Sequence, residues 1–530
     1  MEEESVSDTI RFAVKQLSQR GNCTVPLECI PEGVVTNFTM HLRYLWMLGS
    51  PRAAIDELYA LPIRDLINDA IPPFTILIFA EYLVARLYTG RWSHLAEYLP
   101  NIHNGMLLQT FRLAFHAAEF WLYGQVYDYW HLPLADSVDW SSWTAWISVV
   151  ILTDFCYYVF HRVGHETAFF WAMHQVHHSS DYFNYSVSFR IPHLHDFAHS
   201  GLFHLPLALL GLPPELAFLH KTLNLLYQFW LHSEAIPKLG PFEWIFNTAS
   251  HHRVHHARQA KYLDKNYGSL LIIWDRLFGT FCEEDENDKP IYGVTTLQSS
   301  LNVFYIQYVG WAELWDKMRS MDGWKNKLLC VIKGPGWEPG SPWTGYPEKV
   351  PVATRIDRMQ LKPLSWYWKL FLFADIFMTV SYFGVVLFRY PFLSTNVFYA
   401  MIVILYLNAW CLSVTLEAHP YADVVQVIRL MIWRFILQPM SWRLIAQPAS
   451  PMDRVLHLSA DGLAFTLLIA SCIHLMLNYR HWLGGAVLDP NKSHNREGRY
   501  HYYLKWLMND NGNYSDDDGG ELLSKKIKTQ

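Results

Sequence analysis

Three groups of histidines constrain this chain more than any other feature: His161-Arg-Val-Gly-His165, His174-Gln-Val-His177-His178 and His252-Arg-Val-His255-His256. On a helix, residues i, i+3 and i+4 share one face, with Cβ atoms about 5–6 Å apart. Each group can therefore aim its imidazoles at a common point, and the eight rings together could fill the shells of two metal ions. Fifteen of the 26 histidines fall between 161 and 256. At this histidine content one H-x-x-H-H is expected by chance in roughly one chain in fifteen. Two copies beside an H-x3-H, all bordered by apolar segments, are far rarer. Read instead as surface or pH-sensing imidazoles, eight packed rings would repel one another below pH about 6.5, with no obvious compensating charge.

The surroundings are those of a membrane protein. Charged residues make up 17% of the chain, against about 25% in soluble domains. The 23 Trp and 30 Tyr suit a chain that meets membrane–water interfaces. Apolar stretches at 72–88, 105–127, 142–160, 366–388, 394–416, 423–437 and 460–477 approach the ~20 residues that cross a bilayer. Segments 201–219 and 221–232, broken around Pro213-Pro214, predict a re-entrant or buried helical pair, and the Gly- and Pro-rich stretch 240–362 predicts a water-exposed region. The expected fold is all-α: a polytopic membrane helix bundle with a cytosol-facing, histidine-rich di-metal helical domain. Its expected parts are a polar or amphipathic N-terminal region over 1–70, a membrane and catalytic domain over 71–320, and a polar linker over 321–362. A C-terminal transmembrane block over 363–485 and a polar, disordered tail over 486–530 complete it.

Net charge is −6 and no basic block stands out, which argues against a nucleic-acid partner. Seven scattered cysteines without a C-x-x-C argue against a disulfide framework or a thiolate zinc site. The acidic start MEEESVSDTI predicts no cleaved signal peptide. Sixteen of the 42 basic residues lie in 238–362, which leans that stretch towards the cytosol; the sequons at Asn22 and Asn37 would need the lumen.

Imidazole suits Zn, Cu, Fe and Ni alike, so ligand type alone leaves the metal open. The chain has neither the E-x-x-H of carboxylate di-iron bundles nor the H-E-x-x-H of zinc proteases. A nearly all-histidine site beside a membrane suits a metal that activates dioxygen against a C–H bond of a lipid. A histidine-rich metal transporter is the rival from another class, although transporters place ligands at the bilayer midplane. His232, in QFWLHSE between the second and third groups, is a candidate ninth ligand. His251 breaks the spacing, and His193, His195, His199 and His204 form a run expected to lie outside the site. Asp154 and Asp264 are candidate partners of ligand imidazoles. Trp171 and Phe170 are candidate channel walls, or simple packing.

With these residues in view, the chain resembles the fatty acid hydroxylase (sterol desaturase) superfamily, whose box pattern H-x3-H, H-x-x-H-H, H-x-x-H-H matches the three groups. Longer stretches resemble its glyceryl-ether-oxidising branch: DFCYYVFHRVGHETAFFWAMHQVHHSS, FNTASHHRVHHARQAKYLDKNYGSLLIIWDRLFGTF and KPIYGVTT. Ala249 and Gln259-Ala260 depart from that branch's pattern without removing a ligand. The resemblance implies an iron-containing monooxygenase with two Fe ions and tetrahydrobiopterin as reductant, in the endoplasmic reticulum membrane with its site facing the cytosol. It would use O2 to hydroxylate the ether-adjacent carbon of an alkylglycerol, releasing a fatty aldehyde and a glycerol derivative. A sterol or fatty acyl substrate is the alternative within the superfamily. Glu166 would grip the pterin's amino-pyrimidine edge through two hydrogen bonds, or else serve as a helix-surface carboxylate. The ending Lys526-x-Lys528-x-x resembles a dilysine retrieval signal.

Overall fold

The computed structural model describes residues 66–89, 95–195, 202–296, 300–353, 366–389, 395–417, 419, 421–437, 458 and 461–476. Asn22, Asn37, His199 and the dilysine ending lie outside the described residues. Contacts divide the chain into Met1–Ala470 and Ser471–Gln530; of the second unit only 471–476 are described, and they are helical. Among the described residues there is no strand, only two isolated antiparallel bridges, Phe246 with Leu271 and Ala257 with Tyr292. The all-helical expectation is met.

The main helices are α1 (Leu66–Thr89), α2 (Leu95–Trp130), α3 (Trp143–Glu166), α4 (Ala168–His178), α5 (Pro214–Gln228) and α6 (Ala249–His255). They are followed by α7 (Val303–Ser320), α8 (Gly323–Ile332), α9 (Trp366–Arg389), α10 (Thr395–Leu416) and α11 (Ala422–Ile432). Ser142 opens α3 by accepting a hydrogen bond from the Ala145 amide, and Asn302 opens α7 by accepting from Phe304 and Tyr305. Such caps satisfy amides that have no partner within the helix. Extended Thr167 ends α3, and its hydroxyl donates to the Val163 carbonyl. The chain turns there directly into α4, so that α3 and α4 pack against each other.

Among the described residues, two helices are long and apolar enough to cross a membrane: α3 and the 397–416 part of α10. Large apolar side chains stand exposed along them, including Trp143, Ile147 and Ile151 on α3 and Tyr399, Val403 and Trp410 on α10. Two of the other expected spans differ for identifiable reasons. α2 runs 36 residues but buries Asn101, Asn104, Gln109, Arg112 and Glu119, and α11 has only 11 residues. The broken pair is helical as expected, although its second helix is continuous from Pro214 to Gln228, through 220.

The stretch 240–296 departs most from expectation. Several of its polar groups face inward, while others, Glu283 and Asp285 to Lys289 among them, face water as expected. Asn247, Thr248, Ser250, Asn266 and Asp275 are buried and bonded internally: Asn247 Nδ2 to the Gly268 carbonyl at 2.6 Å, and the Thr248 hydroxyl to Glu243 at 2.6 Å. Arg253 is paired with Glu284 at 2.7 Å. This polarity is spent on holding an irregular backbone, which a composition-based reading takes for exposure. The supposed linker also contributes structure, because α8 packs against α7 and α4.

Beyond residue 362, α9, α10 and α11 are joined by buried polar contacts. Arg429 donates to Asp375 at 2.5 Å and to Asn408 at 3.0 Å. Before residue 362, Lys221 of α5 pairs with Glu119 of α2 at 2.7 Å, both nearly buried.

The tightest crossing is α7 over α4. A Cβ placed on Gly310 would lie 2.0 Å from Gln175 Nε2 and 2.3 Å from the Ala172 carbonyl oxygen. Gln175 could swing aside, but the carbonyl belongs to the helix that carries His174 and His178. Gly310→Val should therefore destabilise the protein by about 1–3 kcal/mol through overpacking. A thermal melt checks this, with Trp324→Ala, at a 78% exposed position, expected to melt like the parent.

Candidate metal centre

Four pieces of chain bring the histidines together. The last turns of α3 present His161 and His165, and the Thr167 corner folds α4 back so that His174, His177 and His178 face them. α6 with its C-terminal cap supplies His252, His255 and His256. His232 ends the 3-10 turn Phe229–Leu231. The nine rings divide into two groups, His161, His165, His174, His178 and His255 in one and His177, His232, His252 and His256 in the other. Within each group one donor atom per ring lies within 4.8 Å of all the others. The groups are neighbours: His178 stacks on His256 with ring centres 4.3 Å apart.

The grouping does not follow the sequence motifs. The second and third boxes are each split between the two centres, His177 parting from His174 and His178, and His255 from His252 and His256. The ninth histidine completes the smaller group.

Hydrogen bonds fix several tautomers. Nδ1–H of His161 donates to the Tyr267 carbonyl at 2.8 Å, that of His255 to Lys265 at 2.9 Å, that of His177 to Arg190 at 3.2 Å, and that of His232 to Gln228 at 2.9 Å. Each of these rings then carries its lone pair on Nε2. Yet Nε2 of His177 and Nε2 of His232 lie 3.2 Å apart. With both protons committed elsewhere, two lone pairs face each other. Further Nε2–Nε2 separations are 3.1 Å for His161–His174, 3.3 Å for His174–His178, 3.0 Å for His232–His252 and 3.2 Å for His252–His256. Nε2 of His165 and Nε2 of His255 are buried with no hydrogen-bond partner.

Burial holds His174, His178, His252, His255 and His256 well below the ordinary imidazole range, and His232 is pushed down to about 4. Neutral rings with converging lone pairs are what a cation requires. Metal–nitrogen bonds of about 2.1 Å place neighbouring ligand atoms about 3.0–3.4 Å apart, the range seen here. The residues therefore fit two metal ions, one per group, and imidazole donors suit a first-row transition metal.

An apolar cavity of about 150 Å³ reaches this cluster. It touches His174 of the first group and His177 and His232 of the second, beneath walls that include Phe74, Met106, Phe189, Leu226, Phe229 and Phe383. His177 keeps some exposure among the nine. Tyr157 and Gln228 also line the cavity, and they are bonded to each other at 2.6 Å.

The remaining candidates separate clearly. Asp264 Oδ1 lies 3.7 Å from His165 Nδ1. Asp154 instead accepts from Asn224, Leu270, Leu271 and Trp274, which pins the backbone that follows Tyr267. Trp171 stands 5.1 Å from the His165 ring, whereas Phe170 packs on Phe169 and Phe203. Glu166 accepts from Arg162 at 2.9 Å. His195 lines the cavity, His193 stacks on Phe111, and His251 meets Phe281; none joins either group. The carbonyls of Lys265, Tyr267, Arg190 and Gln228 escaped the sequence reading because a backbone acceptor leaves no residue-type signal.

Comparison with known proteins agrees with this geometry. The fatty acid hydroxylase family model matches residues 146–280. The chain is 39% identical to alkylglycerol monooxygenase of Danio rerio over 59% of its own length and 68% of the relative's. It is 34% identical to alkylglycerol monooxygenase of Homo sapiens over 70% and 83%. A more distant match, 29% identical over 28% of this chain and 44% of the relative, is the ornithine lipid hydroxylase OlsE of Rhizobium tropici. No solved structure matches the chain. With a histidine cluster fit for two metals at the foot of an apolar cavity, and relatives of this identity matched over more than two thirds of their length, the chain belongs to the alkylglycerol monooxygenase family of fatty acid hydroxylase-like enzymes.

Proposed function

We propose that this enzyme is a membrane di-iron monooxygenase that hydroxylates the ether-adjacent carbon of an alkylglycerol, with tetrahydrobiopterin as reductant. The observation that carries the reading is the junction of two ligating histidine groups with one apolar cavity. Iron held by the nine histidines would supply the oxidation of a lipid C–H bond by O2, one oxygen atom entering the lipid and the other leaving as water with two electrons from the pterin. The hydroxylated carbon then bears two oxygens, and the hemiacetal collapses to a fatty aldehyde and a glycerol derivative.

The chain's own residues shape the rest. The cavity walls exclude water and receive the reacting part of the substrate. A cavity of this size takes about one benzene-sized group, so it holds the ether-proximal carbons and leaves the distal alkyl chain outside. α9 contributes Val380 and Phe383 to the lining, which gives the C-terminal block a part in substrate binding. Glu166 is the proposed grip for the pterin, with Arg162 holding its carboxylate in place. The proposed location is the endoplasmic reticulum membrane, and the basic stretch 238–362 favours a site towards the cytosol.

The deciding experiment is turnover with reduced pterin supplied or withheld, comparing an alkylglycerol, a sterol and a fatty acid. Aldehyde release from the ether alone, only with pterin, is the expected result; metal uptake without oxygen consumption would point to a transporter. The purified enzyme should contain two irons per chain, and removing them with a chelator should abolish aldehyde release. Val380→Trp should lower kcat/KM for the alkylglycerol by roughly tenfold or more through lost cavity volume, with iron content still at two. Glu166→Gln should raise the Michaelis constant for the pterin; an unchanged value would discard that assignment.

A further inference from the structure

The five-histidine group leans on one short loop, and the four-histidine group does not. Within Asp264-Lys265-Asn266-Tyr267, Asp264 and Asn266 both adopt left-handed backbone, with φ of 57° and 55°. Asp and Asn tolerate that region better than other non-glycine residues. Each left-handed residue is followed by one whose carbonyl faces the site: Lys265 accepts from His255 and Tyr267 from His161. Asp264 adds its carboxylate 3.7 Å from His165 Nδ1. Three of the five rings in the first group are thus addressed by four consecutive residues.

The loop is braced from behind. Asn266 is fully buried; its Nδ2 donates to the carbonyls of His251 at 3.1 Å and Cys282 at 2.6 Å, and its Oδ1 accepts from the Cys282 amide at 2.8 Å. The amides of Tyr267 and Gly268 donate to the two oxygens of Asp275 at 2.8 and 2.7 Å. In the other group, His177 and His232 donate to Arg190 and Gln228, on separate segments.

We propose that Asp264–Tyr267 is a positioning loop dedicated to the five-histidine group, selecting the Nε2-ligating tautomer of His161 and His255 and orienting His165, so that one metal site can be weakened without the other. The proposal rests on the reading that each group holds one ion. Asn266 is the keystone, since its side chain holds the left-handed turn in place and itself touches no ligand ring. The carboxylate of Asp264 is the milder handle. Partners of this kind typically govern metal affinity by about 10–100-fold.

The test is metal analysis of the purified full-length enzyme, alongside a thermal melt. Asn266→Ala should fall from two ions per chain to about one, and His177→Ala should lose the other ion instead. Where Asn266→Ala fails to fold, Asp264→Asn serves in its place. There one of the two ions should be withdrawn by a chelator about tenfold faster, while the second leaves at the parental rate. Two ions retained in Asn266→Ala, both ions lost together from a variant that melts normally, or unchanged release from Asp264→Asn would each overturn the proposal. A parent enzyme that saturates below two ions would instead defeat the two-ion reading beneath it.

Discussion

Lone pairs facing one another across about 3 Å, in a pocket that water scarcely reaches, are the constraint on which the rest of this structure depends. A buried imidazole that has spent its only N–H on a carbonyl cannot donate to its neighbour, and protonating it would bury a charge. Four of the nine rings are of this kind, and neither route satisfies His177 and His232, whose Nε2 atoms face each other. A cation in each group would, and the surrounding architecture reads as what is needed to keep those rings aimed: the Thr167 corner, the short helix α6, the 3-10 turn before His232, and the carbonyls that accept from the outer nitrogens.

How much of this was legible in the sequence varies with the kind of signal. The eight box histidines stand out because helical spacing converts directly into a shared face, and His232 stood out through its position between two boxes. The sorting of those residues was not legible. His177 and His178 are adjacent yet join different groups, because side chains one position apart on a helix diverge by about 100°. Whether they meet partners from α6 or from α3 depends on long-range packing. The region 240–296 was misread in part for a related reason. Asn247, Thr248 and Asp275 look like loop residues bound for solvent, and only their mutual hydrogen bonds show that they fold inward. Glu166 could be placed beside the first box, and its pairing with Arg162 is one that i,i+4 helical spacing allows.

The membrane character of the chain is likewise divided. α3 is both a candidate span and a bearer of ligands, so one helix carries an apolar outer face and a polar inner end. α2 shows the opposite economy. Its length would suffice to cross a bilayer, yet it turns Asn101, Asn104 and Arg112 inward and serves as a wall between the catalytic helices and the C-terminal block. Composition alone marks such a helix as apolar without showing which face meets lipid.

The contact between Arg429 and Asp375 has a bearing on where this polypeptide can end. The two residues stand 54 positions apart on α11 and α9, and both are nearly inaccessible. Removing one partner of a buried pair costs about 3–5 kcal/mol. A chain terminated between these two helices would keep a carboxylate stranded among apolar neighbours. A terminus placed between α9 and α11 would therefore be costly, and the pair ties these helices together as one unit.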